Sequence, residues 1–272
     1  MSKKRNLQNL TEEELELIRK AKEGTVVPAK NAMTEYQEDF IPNLNGLRFK
    51  LNIKCKTQKQ KDFLNSLKNV NKSICFGIGS AGTGKSYISL AYGLSKIKDG
   101  TYNHIIMVVP TAQASGKDMG LGYLKGELED KTKPFKDVDR YTIEKILKTS
   151  ENFEYKALTG YLINCGLIQY EFINFMLGKT FDNSLILVNE AEQYTKDDMK
   201  LILTRIGDGS KLVITGDSEQ VNRQSIVKKM DVCGLSYAAE RLRDMDEVSI
   251  TTFEREDIVR NPLIGKILDR MD

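Results

Sequence analysis

Between Gly79 and Ser86 the chain reads GSAGTGKS, which fits the phosphate-loop spacing G-x-x-x-x-G-K-[ST] at every position. Gly79, Gly82 and Gly84 permit backbone conformations closed to other residues. The N–H groups of Ser80, Ala81 and Thr83 can then turn inward around a polyphosphate. Lys85 would reach the β- and γ-phosphates, and the Ser86 hydroxyl would ligate Mg²⁺. From Tyr87 on, apolar residues recur at helical spacing (Ala91, Leu94, Ile97), so a helix would aim its positive end at the same anion. Ile74-Cys75-Phe76, just before the glycines, reads as a buried strand. Strand before and helix after separate a phosphate loop from a chance glycine-rich turn. The implied ligand is a nucleoside triphosphate, with Gly79 through Ser86 and Tyr87 as the residues expected to hold it.

A second group of chemistry-bearing residues follows the apolar run Leu185–Val188, which ends in Asn189-Glu190. An apolar strand ending in two acids is the usual partner of a phosphate loop: one acid holds the Mg²⁺ shell, the other polarises the attacking water. Here Asn189 keeps an oxygen but no charge; Ser86, Asn189 and Glu190 are the candidate metal residues, and Glu190 is also left as the base. A third strand, Leu212–Ile214, leads to Gly216-Asp217-Ser218-Glu219-Gln220, at the end where α/β sheets place ligands. Gln220 reads either as a sensor of the γ-phosphate and water or as a plain loop residue. Gln58 carries both a donor and an acceptor and so could pair with an adenine edge, or simply face solvent.

These residues need a scaffold. Strand, loop and helix recur along the chain, which predicts an α/β fold, a doubly wound parallel sheet. The catalytic acid is expected one strand beyond the phosphate-loop strand in sequence. The predicted strands are 74–76, 105–109, 185–188, 212–214 and 248–250. Predicted helices cover Thr57–Leu67, the stretch after Ser86, a run from Thr195 to Gly207, about 234–245, and a last one capped by Asn261-Pro262. Residues 111–135, rich in Gly and Lys, read as a long exposed loop, and 137–178 carry mixed helical periodicity. Thr11 and Glu14 form a capping box with a Leu10/Leu15 staple, within an N-terminal extension over residues 1–50. Residues 51–272 form the main domain.

Composition narrows the class without choosing a substrate. The 272 residues are 40% hydrophobic and 29% charged, ordinary for a domain able to bury a core. A net charge of +3, from 41 basic and 38 acidic residues, neither demands nor excludes nucleic acid. Four scattered cysteines and a single histidine, His104, argue against a zinc site or a disulfide framework and suit a reducing cytoplasm. No stretch has the length of a membrane span, and no signal peptide is visible.

Taken in order, the motifs resemble the PhoH-like ATPases from about Lys56 to Met271. The resemblance rests on GSAGTGKS, on LGYLKGELEDKTKPF (Leu121–Phe135) and on ILVNEAEQYTKDDMKLILTRIGDGSKLVITGD (Ile186–Asp217). It continues through SEQV, CGL (Cys233–Leu235) and DIVRN (Asp257–Asn261). It implies ATP and Mg²⁺ as cofactors, a core akin to superfamily 1 helicases with an additional catalytic glutamate, and a ring-shaped, hexameric assembly. It further implies work on single-stranded RNA or DNA, and the compact length is similar to phage-encoded members. By position it makes Gln58 the nucleotide-recognising glutamine, and Arg260 and Arg205 candidate arginines for the transferring phosphoryl group. Where the family has Asp-Glu-Ala-Gln, this chain has Asn189-Glu190-Ala191-Glu192, which predicts slow hydrolysis unless Glu192 or Asp217 compensates. Two other classes remain open: a nucleotide-binding scaffold with little turnover, and a small-molecule kinase using the 111–135 segment as a lid.

Overall fold

A computed structural model describes residues 49–110, 128–217, 233–261, 263, 267 and 270. The N-terminal capping box, Gln220, residues 111–127 and positions 264, 268 and 271 of the last predicted helix lie outside the described residues.

Among the described residues six strands form one sheet, β1 (Ile74–Gly79), β2 (His104–Val109), β3 (Ile168–Phe172), β4 (Ser184–Val188), β5 (Lys211–Gly216) and β6 (Val248–Phe253). Every pairing is parallel, and the order is β3-β2-β4-β5-β1-β6. All carboxyl ends therefore share one edge. Successive side chains of a strand point to opposite faces, which explains two separate apolar layers. Cys75, Ile105, Met107, Leu185, Leu187 and Val213 meet helices α1 (Gln58–Lys68), α2 (Lys85–Lys98), α3 (Leu128–Thr149) and α4 (Tyr155–Asn164) on one face. Phe76, Ile106, Val108, Ile186, Val188 and Ile214 meet α5 (Lys196–Leu203) and α6 (Gly234–Leu242) on the other. The near-continuous apolar strands of the sequence are the consequence of this double cover.

Three expectations need correction. The strand ending in Asn189-Glu190 is the third after β1 in the chain, not the next, and in the sheet β5 stands between it and β1. The residues expected to be loop up to Phe135 are helical from Leu128, as part of α3. Lysine and glutamate are good helix formers, so their exposure-like composition concealed the element. The helix after Thr195 closes at Leu203 rather than Gly207, and Ile206 instead bridges to Phe181. Its start is as expected. Thr195 accepts from the Asp198 N–H at 3.2 Å while Asp198 accepts from the Thr195 N–H at 3.0 Å, a reciprocal cap.

Candidate functional site

The phosphate loop joins β1 to α2 and owes its shape to its glycines. Gly79, Gly82 and Gly84 have φ of 138°, 85° and 89°, where a side chain is strained. At Gly79 a Cβ would also come within 2.1 Å of the Phe253 carbonyl oxygen of β6. Thr83 ties the loop across itself by donating to the Ser80 carbonyl at 3.0 Å. The Lys85 ammonium is buried inside it, donating to the carbonyls of Gly79 and Ser80 and to the Thr83 hydroxyl. Burial pulls the Lys85 ammonium below its ordinary value, while the charges of Asp217, Glu190 and Glu192 act to raise it. The ends of β1, β4 and β5 thus converge on one cation.

Two flanking segments hold the loop from outside. Gln60 is buried on α1, accepts from the Lys56 N–H at 2.6 Å and donates to the Thr83 carbonyl at 2.8 Å. The Val259 N–H donates to the Gly82 carbonyl at 3.0 Å, which brings the chain following β6 against the loop and places exposed Arg260 beside it. A cleft of about 270 Å³ opens here, lined by Ser80, Asp217, Thr252, Glu254 and Arg255 among others.

Across from Lys85, the end of β4 turns sharply at Glu190, whose φ of 51° and ψ of 48° are left-handed. Such a conformation costs a non-glycine residue roughly 1–3 kcal/mol, so the surroundings must enforce it. Its neighbour Asn189 accepts from the Thr215 hydroxyl at 2.9 Å. Glu192 is buried, hydrogen-bonds Glu190 and accepts from the Asp217 N–H at 3.0 Å. Burial first, and the Glu190 bond second, push the Glu192 carboxyl up to about 8, although the Asp217 N–H acts to lower it. The upward shift favours the protonated carboxyl, which can donate to Glu190 while accepting from Asp217. A Cβ on Gly216 would come within 2.6 Å of the Glu192 carboxylate oxygen, so only glycine there lets the β4 and β5 loops meet.

The structure gathers Gly79, Ser80, Ala81, Gly82, Thr83, Gly84, Lys85, Ser86, Asn189 and Glu190 at one edge. Three residues chosen from sequence lie elsewhere or act differently. Gln58 is exposed and its amide donates to Asp62 at 2.8 Å; the glutamine at the loop is Gln60. Tyr87 is turned to α3, where its hydroxyl pairs with Thr149 at 3.2 Å. Arg205 lies between α5 and β5, at the opposite edge of the sheet, bonded to the Lys179 carbonyl at 3.1 Å and the Thr204 hydroxyl at 3.0 Å. It is not brought to the loop of its own chain. Gln60 had a legible signal: it shares the helical phase of Phe63, Leu64 and Leu67, a polar residue on an apolar face.

Among the described residues no three His, Cys, Asp or Glu converge on a metal position. Mg²⁺ held chiefly by phosphates needs only one or two protein oxygens, and Ser86, Asn189 and Asp217 provide donors of that kind. Also among the described residues, no helix is long and apolar enough to cross a membrane.

A parallel sheet with a glycine loop at the end of β1, a buried lysine and facing acids defines a nucleotide-binding P-loop protein of the α/β class. The profile of the PhoH-like protein family matches residues 52–272, and the chain belongs to that family. It is 32% identical over 237 residues to a PhoH-like protein of Bacillus subtilis, covering 87% of this chain and 68% of that protein. It is 31% identical over 217 residues to a PhoH-like protein of Mycobacterium tuberculosis, covering 80% of this chain and 57% of the relative. It is 29% identical over 218 residues to the PhoH protein of Escherichia coli, covering 79% and 57%. The chain thus spans little more than half the length of the last two.

Proposed function

We propose that the chain is an Mg²⁺-dependent ATPase of slow turnover whose cycle acts on single-stranded nucleic acid. The observation that carries the hydrolytic part is the convergence of Lys85, Glu190, Glu192 and Asp217 at one sheet edge. Lys85 already sits among carbonyl oxygens and would exchange them for phosphate oxygens. When bound with the nucleotide, Mg²⁺ would be held through Ser86 and Asn189 and would neutralise phosphate charge. Glu190, exposed at the turn, would accept the proton of the attacking water. Protonated Glu192 would donate to Glu190 and hold its carboxylate toward the loop. Interposing β5 between β1 and β4 supports assignment to the additional-strand glutamate class, of which superfamily 1 helicase cores are examples.

Placement of Arg205 on the far edge favours action on a neighbouring copy, and so supports a ring. Asn189 motivates the second reading, a nucleotide-bound scaffold with little turnover. A kinase would need an acceptor pocket and a lid, and residues 111–127 of the segment offered for that lid lie outside the described residues.

Steady-state phosphate release with Mg²⁺, with and without RNA or DNA single strands, tests the proposal, with Lys85→Ala as blank. Turnover absent from the blank and raised by a strand supports it. Nucleotide binding without turnover above the blank overturns it in favour of the scaffold.

A further inference from the structure

Charge is unevenly spread along this chain. Between Lys50 and Lys72 there are seven lysines and one acid, a local +6 in a chain whose total is +3, which leaves −3 for everything else. The fold turns this run into a surface. Phe49, Leu51, Ile53 and Cys55 pack on the core, while the alternate residues Lys50, Asn52, Lys54 and Lys56 are exposed. The segment is pinned from the α3–α4 connection, where Asn152 accepts from the Lys50 N–H at 2.9 Å and Ser150 from the Asn52 N–H at 3.0 Å. An extended run from residue 50 to 56 covers about 20 Å. Lys61 and Lys68 are exposed on α1, seven residues apart and so on one side of that helix, which begins directly after the segment carrying Lys54 and Lys56.

We propose that this lysine ridge, Lys54-Lys56 with Lys61 and Lys68, binds the phosphodiester backbone of single-stranded RNA or DNA. It rests on the nucleic-acid part of the reading above and supplies the surface which that reading lacks. Next to the clamp on Lys50, Phe153 is 98% exposed, an aromatic face on which an unpaired base can stack. Glu151 pairs with Lys50 at 3.8 Å, which concentrates the free charge from Lys54 onward. Between the lysines stand Asn52 and Asn65, polar groups that suit a sugar–phosphate chain and not the acyl tails of a membrane. The ridge also reaches the nucleotide site. The Lys56 N–H donates to Gln60, and Gln60 donates to the phosphate loop.

The test is fluorescence anisotropy of labelled oligo-uridine and oligo-thymidine on the full chain, across a salt series. Replacing Lys54, Lys56 and Lys61 together by Ala is expected to weaken binding about tenfold or more. It should also flatten the log–log salt slope by about two, at roughly 0.7 per phosphate contact on a single strand. Phe153→Ala is expected to weaken binding several-fold with the slope retained. Lys200→Ala, on α5 across the sheet, is expected to change neither. Retained binding of a fluorescent ATP analogue confirms that each variant is folded. If the parent binds strands and the triple variant binds them equally, this surface is wrong and the wider reading stands. If the parent binds no strand, the nucleic-acid reading fails and this surface with it. Lysine-dependent binding to phosphatidylserine vesicles in place of strands overturns the proposal in favour of a membrane.

Discussion

Asn189 sets the expected rate. Thr215 donates its hydroxyl to the Asn189 side-chain oxygen, a bond that an aspartate in the same place would accept equally well. Asn189→Asp should therefore fold unchanged and gain one charge-assisted contact to the metal shell. A contact of about 1.5–3 kcal/mol corresponds to a rise in kcat of roughly 10- to 100-fold, read by phosphate release. Glu190→Gln should reduce turnover about 100-fold or more while an ATP analogue binds as before, because only the base is removed. Much of this site was legible: the loop, Lys85, Ser86, Asn189 and Glu190 are consecutive motif positions. The sequence offers Glu192 only as a compensating acid and Gln60 not at all, since their roles depend on burial and on contacts 25 and 23 residues away in the chain. Gln58 and Gln60 differ only in helical phase, and it is Gln60 that shares the apolar face of Phe63, Leu64 and Leu67.

Helix α5 begins at a reciprocal Thr195/Asp198 cap, so its stability can be perturbed from a single hydroxyl. Thr195→Ala is expected to cost about 1 kcal/mol in denaturant unfolding, with the slope unchanged. A second device lies on α3, where burial pushes the Asp139 carboxyl up from 3.8 to about 7. Between those values the folded chain keeps a proton that the unfolded chain has lost, so stability contributed at this position falls as pH rises through the window. Asp139→Asn should flatten that decline and stabilise the protein most above pH ~7, as read by thermal unfolding at pH 5 and 8. Elements were legible in proportion to their burial. β2 and β4 are covered on both faces and stand out as apolar runs. β3 lies at the sheet edge with Gln169, Tyr170 and Glu171 only half-buried, so its pattern passed for helix. α3 was hidden at its start by lysines and a proline.

Strand order belongs to the whole molecule, and no local pattern announced it. That β5 separates β1 from β4, and that β6 flanks β1 on the other side, is decided by how the helices cross the sheet. Because β5 and β1 run parallel, Arg205, ahead of the amino end of β5, and the phosphate loop, after the carboxyl end of β1, lie at opposite ends of the strands, which yields a test of assembly. If Arg205 completes a neighbour's site, mixing inactive Arg205→Ala and Lys85→Ala chains should restore part of the turnover, since a mixed ring holds some interfaces with both residues intact. Inactive mixtures would confine Arg205 to its bonds with Lys179 and Thr204. Closure of the loop by β6 also has a consequence for how the protein is made. Gly79 rests on the Phe253 carbonyl and Gly82 on the Val259 amide, so residues synthesised early lean on residues synthesised some 170 positions later. At roughly 5–20 residues per second, the ribosome takes on the order of ten to thirty seconds to cross that interval. A nascent chain stalled before Phe253 carries the complete glycine motif without its buttress. Completion of the loop's support is thereby deferred until β6 and Val259 have emerged.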